Sequence, residues 1–246
     1  MRVLLIKGSN IRGELYTLAK REKQYLMKVL RLEEGTTLKC KDENERFFDA
    51  TIIDEDTLSL KESSSEDNFL DSMPSYSGPF AEITIIQAVC KGKKNEKIAR
   101  ECQEAGVRRI IFSDSTFSEQ HVLKGHDWER VETITREAVQ QSGGRLLELE
   151  QTRTLEDAMK KAEGLKIILH QGVRERNRNL FDVLTSRPEG EMKVTLMVGP
   201  EGGFADGECE MAEELGFIPV LLNTNILRAE TAGIYTVGAV ETILNR

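Results

Sequence analysis

The sequence predicts an α/β protein with a parallel sheet, preceded by a small β-barrel, and three observations carry that expectation. Apolar strand runs alternate with helical patterns from residue 80 onward. The first 60 or so residues offer short strands and turns instead. Between them, the stretch SSSEDNFLDSMPSYSGP (63–79) is rich in Ser, Asp, Pro and Gly and marks a domain boundary. The division is set at 1–72 and 73–246.

In the first part, RVLLI reads as a strand, TTLKCK alternates, and Asp42, Glu43, Asn44 and Glu45 turn the chain into RFFDATII, with TLSLKE following. KREKQYLMKVLRLEEG reads as a short helix ending before Gly35. In the second part, AEITIIQAVC is a strand and EKIARECQEAG a helix closed by Gly106. RRIIFSD is a strand, and DWERVETITREAVQQSG and LEDAMKKAEG are helices. The strands LKIILHQG, VTLMVG and IPVLLN flank the helix DGECEMAEELG, and a last helix starts near Ala229. It is apolar nearly all round through Val240, the pattern of a core or interface helix. Apolar strands alternating with helices imply a parallel sheet covered on both faces, which binds ligands at the carboxyl ends of its strands.

Composition narrows the function. No apolar run approaches the roughly 20 residues of a membrane span, and MRVLLIKGSN is too short in apolar residues for a secretory signal. Cys40, Cys90, Cys102 and Cys209 lie far apart without a CxxC, so neither a metal site nor a disulfide framework is expected, and the compartment expected is the cytoplasm. His121 and His126 read as surface residues. The net charge of −8 argues against nucleic acid until its distribution is read. Residues 1–31 carry eight Lys/Arg against two Glu, and residues 86–109 carry seven against three. Between them, residues 32–85 carry four basic and fourteen acidic residues, so basic faces coexist with an acidic total.

Three strands end in unusual loops: LHQGVRERN after Leu169, VGPEGGFAD after Val198, and LLNTNILRAETAG after Leu222. Neither GxxxxGK[ST] nor GxGxxG is present. Without a lysine, Gly199–Gly203 suits a ligand recognised through backbone groups, such as an adenine edge or an amino-acid moiety; a tight turn would share its composition. Asp206, Glu208 and Glu210 satisfy the positive end of the following helix, leaving less call for an anion there. In the third loop Arg228, Glu230 and Thr231 cluster at the mouth of an apolar helix, as caps or as functional groups.

VGPEGGF followed about 25 residues later by ILRAETA resembles the bacterial 16S rRNA uridine-N3 methyltransferase family, a branch of the SPOUT superfamily. YLMKVLRLEEG, KGKKNEKIARECQEAGV and REAVQQSGGR resemble upstream segments of that family in the same order, so the likeness spans nearly the whole chain. Four positions depart from its pattern: Asn223 stands for a glycine, Tyr25 for a histidine, Glu101 for a lysine and Gln120 for an arginine. The resemblance implies a PUA-like N-terminal barrel, a C-terminal trefoil knot, a homodimer and S-adenosylmethionine as cofactor. It places that cofactor against Leu169, His170, Val198, Gly199, Glu201, Gly202, Gly203, Leu222, Asn223, Ile226, Leu227, Arg228, Thr231 and Ala232.

On this reading Arg228 stabilises the charge on the uracil oxygens, and Glu201 or Glu230 takes the N3 proton. N3 lies on the Watson–Crick edge, so the base must be unpaired or flipped. Phosphate partners are expected at Arg2, Arg12, Lys28, Arg31, Lys91, Lys93 and Lys94, with Arg174, Arg176 and Arg178 flanking the first loop. The implied substrate is 16S rRNA or the small ribosomal subunit, with no metal and no membrane. Two other readings are a same-fold methyltransferase for another RNA position and a non-catalytic RNA-binding or ribosome-assembly module.

Overall fold

The computed structural model describes residues 3–44, 46–63, 80–119, 121–142, 145–172 and 177–245. The chain divides into two compact units, Met1–Tyr76 with Arg136–Arg145, and Ser77–Thr135 with Leu146–Arg246. The boundary stretch expected at 63–79 lies, apart from Ser63, outside the described residues.

The first unit holds β1 (Val3–Leu5), β2 (Ile11–Arg12), β3 (Leu15–Thr17), α1 (Lys20–Lys23), β4 (Thr37–Lys41), β5 (Phe47–Ile52) and β6 (Thr57–Ser63). They form a six-stranded sheet in the order β1-β4-β5-β6-β3-β2, antiparallel except for the β1–β4 pair. Alternate residues of β5 and β6 (Phe48, Ala50, Ile52, Leu58, Leu60) turn inward onto Leu4, Leu26 and Tyr16. Tyr16 is fully buried, and its hydroxyl donates to Glu22 at 2.8 Å, so the core aromatic is anchored by a polar tip.

Two features differ from expectation. The β2–β3 hairpin, turned at Gly13 (φ +62°), is too short to register as a strand pattern. The expected helix is one turn of α-helix running into a π-helical turn, Gln24–Val29. The chain then leaves the helix through Arg31, at φ +53°, well before Gly35.

The second unit runs β7 (Glu82–Ala88), α2 (Lys94–Glu104), β8 (Arg109–Ser113), α3 (His126–Ser142, of which the residues to Thr135 belong to this unit), β9 (Glu148–Thr152), α4 (Leu155–Met159), β10 (Leu165–Leu169), α5 (Leu180–Thr185), β11 (Lys193–Val198), α6 (Asp206–Glu214), β12 (Ile218–Val220) and α7 (Ala229–Leu244). Its six strands are all parallel, in the order β12-β10-β11-β7-β8-β9.

Residues alternate between two cores, as a strand period of two requires. Ile83, Ile85, Ile110, Phe112, Ile167, Val194 and Leu196 face one way, against Ile98 and Cys102 of α2 and Val237 and Val240 of α7. Ile86, Ala88, Ile111, Ile168 and Met197 face the other, against Met159 of α4 and Cys209 and Ala212 of α6. Both faces are covered, which is why these strands read as unbroken apolar runs.

β9 and α5 escape the sequence pattern for physical reasons. β9 is an edge strand with mixed exposure, so ELEQT has no apolar run. α5 is a six-residue helix capped by Asn179, whose side chain accepts from the Phe181 N–H at 2.8 Å. The last helix is also less uniformly buried than its composition implies. Gly233, Thr236, Val237, Val240 and Leu244 are buried, while Tyr235 is 52% exposed. The chain enters this sheet at β7, then builds β8 and β9 on one side and β11, β10 and β12 on the other. The switch point therefore lies between the carboxyl ends of β7 and β11.

Candidate active-site cleft

Gln87 occupies that switch point. It is fully buried in β7, and its amide donates to the Ala88 carbonyl at 2.9 Å, the Gly199 carbonyl at 3.4 Å and the Val198 carbonyl at 3.5 Å. It thus ties the end of β7 to the strand end from which the glycine loop leaves. Its Oε1 is buried and has no hydrogen-bond partner among the described residues.

The loop Gly199–Phe204 folds back on itself, with the Gly203 N–H donating to the Pro200 carbonyl at 3.0 Å. Gly203 sits at φ +73°, a conformation costly for other residues. A Cβ on Gly199 would lie 3.1 Å from the Gly203 Cα, so a side chain there would crowd the turn. The helix that follows needs no anion. The Glu208 carboxylate accepts from the Ala205 N–H at 2.8 Å and reaches across to the Thr116 N–H at 2.8 Å.

Glu201, the carboxylate among those glycines, faces a base. Lys94 Nζ lies 2.6 Å from its Oε1, and the Lys91 N–H donates to the same oxygen at 3.1 Å. Partial burial opposes ionisation of Glu201, but these hydrogen bonds outweigh it and hold the carboxyl below its ordinary value. The lysine is placed by Asn95, whose buried amide brackets Cys90 through both its N–H (3.0 Å) and its carbonyl (2.7 Å). Burial, with Glu201 nearby, pushes the Cys90 thiol up to about 12, so it carries no thiolate chemistry at neutral pH.

The loops after β10, β11 and β12 enclose a cleft of about 380 Å³, within the size range of small-molecule sites. Of the residues expected at a cofactor, Leu169, His170, Val198, Gly199, Glu201, Gly203, Leu222, Ile226, Leu227, Arg228 and Ala232 line it. Gly202, Asn223 and Thr231 do not; a Cβ on Gly202 would meet the Phe117 Cβ at 2.9 Å, so it faces the loop after β8. Sequence reasoning missed Gln171, Thr224 and Asn225 in the lining, and it assigned Lys94 to phosphate alone. Gln87 was missed too, although a glutamine inside ITIIQAVC was the available signal.

Arg228 is the N-cap residue of α7, in extended conformation, its carbonyl accepting from the N–H groups of Thr231 and Ala232. No side chain caps this helix start. Glu230 is 8% exposed, does not line the cleft, and its Oε2 has no partner among the described residues. Among the residues expected at phosphates, Lys91 and Lys93 are exposed on the loop before α2, and Lys94, the first residue of that helix, lines the cleft. Lys91 pairs with Glu119 at 2.6 Å. Arg12, Lys28 and Arg31 are exposed on the first unit. Arg2, Arg174, Arg176 and the departure at Gln120 lie outside the described residues.

A family profile described as the RNA methyltransferase domain matches residues 77–241. The chain belongs to this RNA methyltransferase family. The matched span contains the whole parallel sheet and all three cleft loops. Among its relatives is the ribosomal RNA small subunit methyltransferase E of Synechocystis sp., 28% identical over 245 residues, covering 98% of this chain and 77% of the relative. The protein of the same name from Mesomycoplasma hyopneumoniae is 26% identical over 220 residues, covering 88% and 93%. Among solved structures, a methyltransferase from Legionella pneumophila in complex with bound SAM superposes with TM-score 0.82 at 25% identity, covering 99% of this chain and 98% of that one. The ribosomal RNA small subunit methyltransferase E of Neisseria gonorrhoeae, bound to S-adenosyl methionine, has TM-score 0.79 at 23% identity, covering 100% and 98%, a likeness of fold.

Proposed function

We propose that this RNA methyltransferase transfers a methyl group from S-adenosylmethionine to N3 of a specific uridine in 16S rRNA of the small ribosomal subunit, in the cytoplasm. The observation that carries the proposal is the convergence of the VGPEGGF and ILRAETA loops on one cleft at the carboxyl ends of β10, β11 and β12. The names of the Synechocystis and Mesomycoplasma relatives, and the SAM-bound Legionella structure, support the substrate and the methyl donor.

The residues present fit that donor. Leu169, Val220, Leu222, Leu227 and Ala232 supply apolar wall, and the backbone of the three loops supplies donors and acceptors. S-adenosylmethionine brings an electrophilic methyl group on a sulfonium; what remains falls to the chain. N3 must lose its proton, and the resulting charge spreads onto O2 and O4. Arg228 lines the cleft with no ion pair among the described residues, so its guanidinium is free to donate to those oxygens. Two carboxylates are candidates for the proton. Glu201 reaches the cleft but is a weakened base through Lys94, whereas Glu230 has an unpartnered oxygen and lies outside the lining. Rate–pH profiles of Glu201→Gln and Glu230→Gln assign the acceptor, since only its loss removes the limb on which the base ionises.

The same reading extends to the architecture. The first unit is a PUA-like barrel that grips RNA with Arg12, Lys28 and Arg31. The C-terminal segment forms a trefoil knot: the chain leaves edge strand β12, passes through 221–228 and returns as α7 against β11. Two chains dimerise through the α7 face that exposes Tyr235. Methyl mapping of rRNA from cells with and without the protein tests the function. Unchanged N3 methylation at every uridine of 16S rRNA overturns it, and a new site in another RNA redirects it.

A further inference from the structure

Lys94 and Glu201 form an ion pair of unusual placement. Both residues line the cleft, and the side chain of each is about one third exposed (33% and 31%), so neither is locked into the interior. The bonds from Lys94 and Lys91 both fall on Oε1 of Glu201, leaving acceptor capacity on Oε2. Lys94 offers three N–H donors and spends one on Glu201 among the described residues. The cleft wall therefore presents one cation and one anion side by side, in addition to the other polar residues of the lining, His170, Gln171, Thr224, Asn225 and Arg228.

An α-amino acid carries the complementary pattern, an ammonium and a carboxylate on one carbon. We propose that Lys94 and Glu201 act as a clamp for the amino-acid end of the methyl donor, Lys94 taking the α-carboxylate and Glu201 the α-ammonium. This rests on the S-adenosylmethionine reading above and specifies which residues sort that ligand from nucleosides lacking the amino acid. Such an exchange trades one partly solvated ion pair for two charge-assisted contacts of the same kind, at little cost in desolvation. It leaves Arg228, which makes no ion pair among the described residues, for the RNA side of the cleft. It also gives the lone carboxylate of the glycine loop a task that glycine backbone cannot perform.

Calorimetric titration with two ligands tests the clamp. S-adenosylhomocysteine carries the amino acid; 5′-methylthioadenosine keeps the nucleoside thioether and lacks it. Lys94→Gln and Glu201→Gln should each weaken S-adenosylhomocysteine roughly tenfold while leaving 5′-methylthioadenosine within about twofold, the value of a charge-assisted hydrogen bond. The second ligand also reports that the cleft is still folded. Equal losses for both ligands, or no loss for either, overturn the clamp.

The exchanged pair, Lys94→Glu with Glu201→Lys, keeps a bridge but reverses its polarity, so its S-adenosylhomocysteine affinity should stay low; recovery to wild type would make the bridge merely structural and sink the proposal. If the unaltered protein binds neither ligand, the methyl-donor reading itself fails, and the clamp with it.

Discussion

The two ends of the parallel sheet are built on opposite electrostatic principles. At the amino ends of β7, β8, β9 and β11, six charged side chains (Glu82, Arg108, Arg109, Glu148, Glu163 and Lys193) line a small recess of about 160 Å³. Each has an opposite charge within 4.0 Å, from Lys193–Glu163 at 2.6 Å to Arg109–Glu163 at 4.0 Å. At the carboxyl ends, among the described residues, Gln87, Asp114 and Glu230 each bury an oxygen with no partner and Arg228 makes no ion pair. Buried polar atoms are nearly always satisfied, so the unmet acceptors distinguish this end of the sheet from the paired one.

That contrast can be broken by substitution. The largest effect is expected at the unmet end: Arg228→Ala should cut single-turnover methylation by roughly 10²-fold while the melting temperature moves by only a few degrees. A rate near wild type would remove Arg228 from the chemistry. At the paired end, Gly164 adopts φ +63° and its missing Cβ would run into the Lys193 backbone. Gly164→Ala should therefore cost about 2–4 kcal/mol in denaturant unfolding, with unchanged cofactor affinity in the fraction that folds.

Smaller effects sharpen the picture. Lys93→Ala should weaken RNA binding several-fold for any sequence and lower the slope of log affinity against log salt by about 1. An unchanged slope would show that this exposed loop meets no phosphate.

The smallest effect concerns pH. Hydrogen bonding and the charge of Lys193 hold the Glu163 carboxyl below its ordinary value of 4.5. A carboxyl depressed in the folded state stabilises the fold above its unfolded pKa, and that contribution is lost as pH falls through the folded value. Glu163→Gln should lower neutral stability slightly, as expected for an exposed pair, and flatten the acid limb below about pH 4.5 by the same amount, so that the two curves converge at low pH. A parallel acid limb in the variant would mean that the pair contributes nothing.

Much of this was legible in the residue order, for reasons tied to particular elements. The apolar runs of β7, β8, β10 and β11 announced a sheet buried on both faces, and the two motif loops stood out because glycine and proline interrupt such runs. Legibility failed where the signal is not local. The ELEQT strand is half solvated at a sheet edge, and the short β2–β3 hairpin has no period to read. Lys94 looked like one more basic residue in KGKKNEK, since nothing in its own neighbourhood reveals that Glu201, 107 positions away, meets it.

The sequence by itself determined the strand and helix periods, the glycine loop and the membership of the chain in an RNA methyltransferase family, because these depend on residue types over short spans. Which carboxylate faces which lysine, which end of the sheet is saturated with charge, and which backbone groups share one cleft were decided only by tertiary structure. Strand order, not chain order, sets those distances, and an ion pair falls off within a few ångströms.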